Sequence, residues 1–258
     1  MVYNNKHKII LQTIINEGAL SEKCGKKLVK QLFDHDRTGL ILNEINKKLQ
    51  PLYMTIKCTN CEVTGELYWV FASTLQDKTA SYHPEFSQAQ LTLLRNIYSE
   101  IVTSNNGYAS STWCLNLCSS LHIQLTKADA EEFLSEIVKK KWLFCKNGKY
   151  FMGVRSIAEL LQYFKDTYDD NLHTCALCKQ ALFHGEKCEE CNTAMHIHCL
   201  KTCVTNQDDL QCPNCQNPIS SNNDSNTVTD LDDTYMETSD TEMRGSSQRR
   251  ATKRKLKD

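Results

Sequence analysis

Between residues 175 and 215 the chain repeats one short unit four times, a pair of metal-binding side chains separated by two residues: Cys175 with Cys178, Cys188 with Cys191, His196 with Cys199, and Cys212 with Cys215. In full the pattern is C-x2-C-x9-C-x2-C-x4-H-x2-C-x12-C-x2-C. Pairs at this spacing suit zinc because one tight turn brings both donors to an edge of the metal, with Zn–S near ~2.3 Å, while the longer intervals let pairs from separate segments meet. Eight donors make two tetrahedral sites, so the expected cofactor is two structural Zn2+ ions with every position filled by protein. That excludes a zinc hydrolase, which keeps one position open. His196 is chosen over His198 because it reproduces the pair spacing, whereas His198 adjoins Cys199. Cys203 falls out of register and is assigned to packing, and His173 and His184 have no partner at ligand spacing. The spacing admits a sequential or an interleaved pairing. With only nine residues between the first two pairs, the interleaved cross-brace is expected: Cys175, Cys178, His196 and Cys199 on one ion, Cys188, Cys191, Cys212 and Cys215 on the other.

A segment of about forty residues this rich in polar side chains cannot build a sufficient core, so metal binding there is folding energy. Thiols clustered in this way belong to a reducing compartment, and the polar start MVYNNKHKIILQTII carries no export signal. The chain has no apolar run long enough to cross a bilayer, so no membrane contact is expected. Its net charge of -1 conceals a division. Residues 224–242 carry seven acidic side chains and no basic one, and 244–257 carry seven basic ones and no acid. This tail, 219–258, has too few large apolar residues to offset the entropy of ordering and reads as disordered.

The region before the cysteines presents one pattern twice. Helical stripes over residues 5–17, at Leu28, Val29, Leu32 and Phe33, and at Ile41, Leu42, Ile45 and Leu49 precede two alternating segments, 53–58 and 66–72, that read as a hairpin. The second pass has stripes at Leu91, Leu94, Tyr98 and Ile101, at Trp113, Leu117 and Leu121, and from Ala130 to Trp142 after a capping signal at Thr126 and Asp129. A second hairpin turns at Asn147 and Gly148, residues that tolerate the positive φ of a type I′ turn. A last helix from about Ile157 to Tyr168 leads into the cysteines. Three helices and a hairpin, twice over, predict an α+β chain: winged-helix domains at 1–80 and 81–170, a two-zinc cross-brace domain at 171–218, then the tail. Cys58 and Cys61 form a lone C-x2-C read as incidental, and Cys24, Cys114, Cys118 and Cys145 read as small buried residues.

A winged helix that reads DNA needs basic and hydrogen-bonding residues on its third helix. Here Glu131, Glu132 and Glu136 stand beside Lys139, Lys140 and Lys141, and Asn43, Glu44, Asn46, Lys47 and Lys48 form a mixed face. Acids beside phosphates forfeit the attraction that dominates affinity, so protein contact is expected and DNA contact is weak or indirect.

The zinc pattern is shared by PHD fingers and variant RING domains. PHD fingers carry an aromatic residue two positions before the seventh ligand, where this chain has Leu210. RING domains favour an aliphatic residue before the second ligand and proline after the seventh, which Leu177 and Pro213 supply. With two winged helices ahead of it, with CEECNTAMHIHC and the ending CPNC, and with GYASSTWCLNL (107–117) and KKWLFCKNGKYFM (140–152), the chain resembles the RING-bearing non-SMC element one subunits of the SMC five/six chromosome-maintenance complex over about residues 5–216. The resemblance implies a nuclear, chromosome-associated ubiquitin ligase subunit acting in DNA repair. It implies a MAGE-type partner held through the winged helices, a kleisin partner, and a ubiquitin-conjugating enzyme contacted by Leu177 and the segment around Pro213. No residue of the chain is expected to be catalytic in the bond-making sense. One position departs from the active pattern: Gln216 stands where many RING domains have Arg or Lys after the last ligand. The rival reading is a non-enzymatic assembly module.

Overall fold

Asn4 opens the first helix by accepting a hydrogen bond from the Lys6 N–H while His7 reaches back to the Asn4 N–H, so two of the helix's orphan donors are satisfied locally. That helix, α1 (Asn5–Glu17), ends at Gly18, whose φ of 71° only glycine adopts freely, and the chain continues through β1 (Ala19–Ser21), α2 (Glu22–Phe33), α3 (Thr38–Leu49), β2 (Met54–Asn60) and β3 (Leu67–Ser73). In this computed structural model the protein is described over residues 2–35, 37–75, 85–120, 125–203 and 211–219. The three strands form an antiparallel sheet in the order β1-β3-β2, and the helices close over it around Ile10, Ile14, Val29, Ile41, Ile45 and Trp69. Helix α2 crosses the Trp69 ring so closely that a methyl at Gly25 would overlap it.

The same order returns in α4 (Gln88–Thr103), β4 (Ala109–Ser110), α5 (Ser111–Ser120), α6 (Lys127–Lys139), β5 (Leu143–Lys146) and β6 (Lys149–Met152), with the sheet order β4-β6-β5. Helix–strand–helix–helix–strand–strand is the winged-helix arrangement. Asn147 and Gly148 have φ of 51° and 69°, the two positive angles of the expected tight turn. Thr126 caps α6 as its sequence predicts, accepting from the Asp129 N–H at 3.1 Å. The strands β1 and β4 were not expected, because two or three residues are too few to show a period of two.

Helix α7 (Val154–Tyr168) begins earlier than expected and serves both winged helices. Val154 and Ala158 pack with Ala19, Cys61 and Val70, whereas Leu160 and Phe164 enter the second core. Lys57 Nζ donates to the Ala158 carbonyl at 2.7 Å across this junction. At its start a buried chain of hydroxyls runs from Tyr98 through Ser156 to the Trp142 carbonyl. No helix among the described residues is long and apolar enough to cross a membrane.

The readings of four residues change. Cys114 and Cys118 are buried, but Cys24 and Cys145 are exposed rather than packed on apolar faces. Asn46, read as part of a solvated face, instead brackets Ile56, donating to its carbonyl at 3.1 Å and accepting from its N–H at 2.7 Å, and so ties α3 to the wing. Ile219, assigned to the tail, is buried in the core of the cysteine region. Leu121, Leu210, the junction at 80 and 81, and the tail from residue 220 lie outside the described residues.

Candidate metal centre

The third region is built from hairpin fragments too short to hold themselves, β7 (His173–Thr174) with β8 (Ala181–Leu182) and β9 (Glu186–Lys187) with β10 (Ala194–Met195), and from the helix α8 (Ile197–Cys203). What repeats is a turn. At Cys175, Cys188 and Cys212 the cysteine N–H donates to the carbonyl five residues on, Gln180, Thr193 and Asn217, at 2.8–2.9 Å. Its own carbonyl accepts from the N–H four residues on, at Lys179, Asn192 and Gln216, with 2.8–2.9 Å. Those three residues all take positive φ, 60°, 56° and 61°. Each C-x2-C pair therefore sits in one copy of the same knuckle, which presents both sulfurs to one side.

The turns bring the eight candidate donors into two groups, Cys175, Cys178, His196 and Cys199 in one and Cys188, Cys191, Cys212 and Cys215 in the other, with all donor atoms of a group within 4.8 Å of one another. This is the interleaved arrangement. Sulfurs on a tetrahedral zinc stand about 3.8 Å apart at Zn–S near 2.3 Å. Cys188 to Cys215 and Cys191 to Cys212 are each 3.5 Å, and His196 Nδ1 lies 3.3 Å from Cys178 Sγ and 3.7 Å from Cys199 Sγ. All fourteen cysteines are free thiols, so no disulfide competes for these sulfurs. The donor set, the spacing and the closed geometry fit two zinc ions.

Electrostatics point the same way. Burial opposes ionisation of Cys175, but the N–H groups of Cys178, His196 and Leu177 prevail and draw its thiol down to about 6. The Thr193 hydroxyl and N–H and the Asn214 side chain draw Cys191 down to about 5. Burial, with the Cys178 and Cys175 sulfurs alongside, pushes Cys199 up to about 12. Thiols this close cannot all ionise unless a cation stands between them, and the thiolate is the form that binds metal.

Several residues near the groups take other places. Leu177 is partly exposed and rests on the small core of Met195, Leu200 and Ile219, and Pro213 is exposed. His198 stacks on His196 with ring centroids 4.8 Å apart. Cys203 is exposed, which corrects its assignment to packing: α8 turns it outward, while Leu200 fills the core. Cys58 and Cys61 join no metal-binding group among the described residues.

The residue that sequence reasoning missed is Glu62, in the turn between β2 and β3 of the first winged helix. It is 4% exposed and reaches into the zinc region. Its Oε1 lies 3.1 Å from His196 Nε2 and accepts from the Phe183 N–H at 3.1 Å, and its Oε2 accepts from the His184 N–H at 2.8 Å. Burial alone would lower the His196 imidazole, but the Glu62 hydrogen bond and charge and the nearby sulfurs lift it to about 9. The ring thus sits where positive charge is drawn in. Phe183 itself inserts into the second winged helix, edge-on to Phe164 at 5.2 Å, so the zinc region rests on both units. A lone glutamate after a cysteine gives no sequence signal of this kind.

Comparison with known proteins agrees with this geometry. Residues 7–160 match the family model described as the Nse1 non-SMC component of the SMC5-6 complex, and residues 175–215 match a RING-like domain. The chain is 31% identical to the "Non-structural maintenance of chromosomes element 1 homolog" of Bos taurus and to that of Homo sapiens, in each case over 83% of this chain and 84% of the relative. It is 24% identical to the Schizosaccharomyces pombe protein over 83% of this chain and 92% of that one. A chain of a solved "Nse1-Nse3-Nse4 complex" superposes with a TM-score of 0.74 at 27% identity, covering 85% of this chain and 98% of the other.

Proposed function

The chain belongs to the family of Nse1 non-SMC components of the SMC5-6 complex, and from that membership we propose that it is a RING-type ubiquitin ligase subunit of such a complex, acting in DNA repair at the chromosome. The observation that carries this reading is the RING-like zinc region with Leu177 partly exposed inside its first knuckle and Pro213 exposed inside its third. These two residues are the proposed contact for a ubiquitin-conjugating enzyme. The chain supplies neither nucleophile nor general base to the transfer. It binds the charged enzyme and restrains the ubiquitin thioester while a lysine amine attacks, so its contribution is orientation and lost freedom paid in advance. The zinc ions hold the knuckles in shape and take no part in the chemistry.

Gln216 sets the strength of that restraint. It occupies the positive-φ corner of the third knuckle and is exposed, and its amide hydrogen-bonds without the charge assistance an arginine gives. Activity is therefore modest in the isolated chain and raised by partners. We assign those partners as a MAGE-type and a kleisin subunit, in keeping with the neighbour drawn from an Nse1-Nse3-Nse4 complex. The winged helices suit protein contact better than DNA because acids stand among the basic residues of their third helices and hold two of them: Lys47 pairs with Glu44 at 2.7 Å, and Lys140, just after α6, with both Glu85 and Glu136 at 2.8 Å. The basic run RRATKRKLK is the proposed nuclear address.

The second reading, an assembly module without enzymatic activity, is favoured by the same Gln216 and by the way Glu62 and Phe183 seat the zinc region on the winged helices. One experiment separates them. Ubiquitin transfer is measured over a panel of conjugating enzymes, with and without the two partner subunits, for the wild type and Leu177→Ala. Because Leu177 also packs on the zinc-region core, zinc content and complex assembly of the variant are measured alongside. Transfer that rises with the partners and is lost in the variant, with two zincs and assembly intact, supports the ligase. No transfer across the panel by a fully zinc-loaded, assembled wild type overturns it in favour of the module.

A further inference from the structure

Glu62 is a buried carboxylate 134 residues away in sequence from the histidine it touches, and the turn that carries it is built to hold it still. The Cys61 N–H donates to the Glu66 carbonyl at 2.8 Å, and the Gly65 N–H donates to the Cys61 carbonyl at 2.7 Å, with Gly65 at φ 75°. This is the hydrogen-bond pattern and the left-handed corner of the three zinc knuckles, with Thr64 where a second cysteine would stand. Asn60 closes it further by donating to the Gly65 carbonyl at 3.0 Å. A Cβ at Gly65 would lie 2.9 Å from the His198 Cβ, so the turn fits flush against the zinc region.

The neighbours of His196 fix its proton. Nε2 faces two oxygens, the Glu62 carboxylate at 3.1 Å and the Ala181 carbonyl at 3.1 Å, and neither can donate. Nε2 must therefore carry the hydrogen. Nδ1 is then the nitrogen that faces the Cys178 and Cys199 sulfurs, and the one through which the ring can bind a metal. Both Glu62 oxygens are used, on three N–H donors, and His196 is the one ion-pair partner of Glu62 among the described residues.

We propose that Glu62, supplied by the first winged helix, is a positioning residue of the first zinc site: it orients His196 for the metal, so that zinc retention there and the seating of the zinc region on the winged helices are one coupled event. The inference rests on the two-zinc reading of the centre and not on ligase activity. A carboxylate holding a metal-bound histidine typically changes metal affinity about 10- to 100-fold. Coupling is reciprocal, so whatever docking gives to zinc retention, zinc gives back to docking.

The test is zinc release from the full-length chain to a chromophoric chelator, comparing wild type with Glu62→Gln. The glutamine keeps the shape but turns an NH2 toward at least one of three donors. The expected result is one zinc released about 10- to 100-fold faster and the other at the wild-type rate. In a His196→Cys background, which retains four ligands but leaves no ring to orient, the same substitution should accelerate release no further. Wild-type rates for both zincs overturn the proposal, as does equal acceleration of both, or acceleration that persists in the His196→Cys background. Should Glu62→Gln fail to fold, the nitrogen spectrum of His196 in the wild type decides: an exchange-protected Nε2 proton supports the proposal, and an Nδ1 proton overturns it. A wild type that binds fewer than two zincs overturns the two-zinc reading itself.

Discussion

The two zinc groups use the same knuckle and yet are supported differently. The second, of four cysteines, is enclosed by its own region: its knuckles bond to their own carbonyls, and its sulfurs meet Thr193, Asn214, the Asn217 N–H and each other. The first contains the one histidine, and a histidine has a far edge. That edge is shared between the Ala181 carbonyl of its own region and Glu62 of the first winged helix, while the adjacent Phe183 is held by the second. A single imidazole in place of a thiolate thus turns a closed structural site into a joint between domains, because imidazole has a second nitrogen to offer and sulfur does not.

The largest way to break this contrast is to remove both metals. A structural zinc contributes on the order of 10–16 kcal/mol to folding, far more than the six-residue core of the zinc region. Chelation should abolish hydrogen-exchange protection across residues 173–219 and leave the winged helices, with their separate apolar cores, cooperatively folded. Simultaneous loss of winged-helix protection would show that the cores depend on the metal. Next in size, Phe183→Ala removes a buried ring wedged beside Phe164 and should cost about 3–5 kcal/mol, read as a lower melting temperature of the zinc-loaded protein. A single-ligand comparison sharpens the contrast directly. Cys188→Ser should release protection in its own hairpins while the Phe183 and His184 amides on Glu62 stay protected, whereas Cys178→Ser should expose those two amides as well.

Smaller effects test the seating alone. Gly65→Ala places a side chain at φ 75° and against His198, and should cost about 1–2 kcal/mol while leaving zinc at the all-cysteine group unchanged. Cys203→Ser, on the same helix as Cys199 but exposed and outside both groups, should alter stability by no more than about 0.5 kcal/mol, checked by denaturant midpoint.

The chain order of helices and hairpins, the eight donors and the positive-φ turn at Asn147 and Gly148 were all legible beforehand, because each is written in local spacing. A knuckle is closed by residues five apart, a helix by residues four apart, and a tight turn by two neighbours, so adjacency in sequence is adjacency in space. The same logic explains the misreadings. Asn46 and Cys203 were judged by residue type and helical face, and what decided them was the element opposite: the wing at Ile56 for the first, and solvent for the second. Strands β1 and β4 become strands only because a hairpin already offers them an edge.

By itself, then, the sequence determined which atoms could bind metal and which stretches would become helix or hairpin, since those properties are settled within a few residues. Only the tertiary structure decided that Glu62 would stand behind His196, that Phe183 would join the second core, and that α7 would serve both winged helices. Those contacts join segments whose own patterns carry no trace of one another. They form because burying a carboxylate is costly until three N–H groups converge on it, and that convergence exists only once the domains have docked.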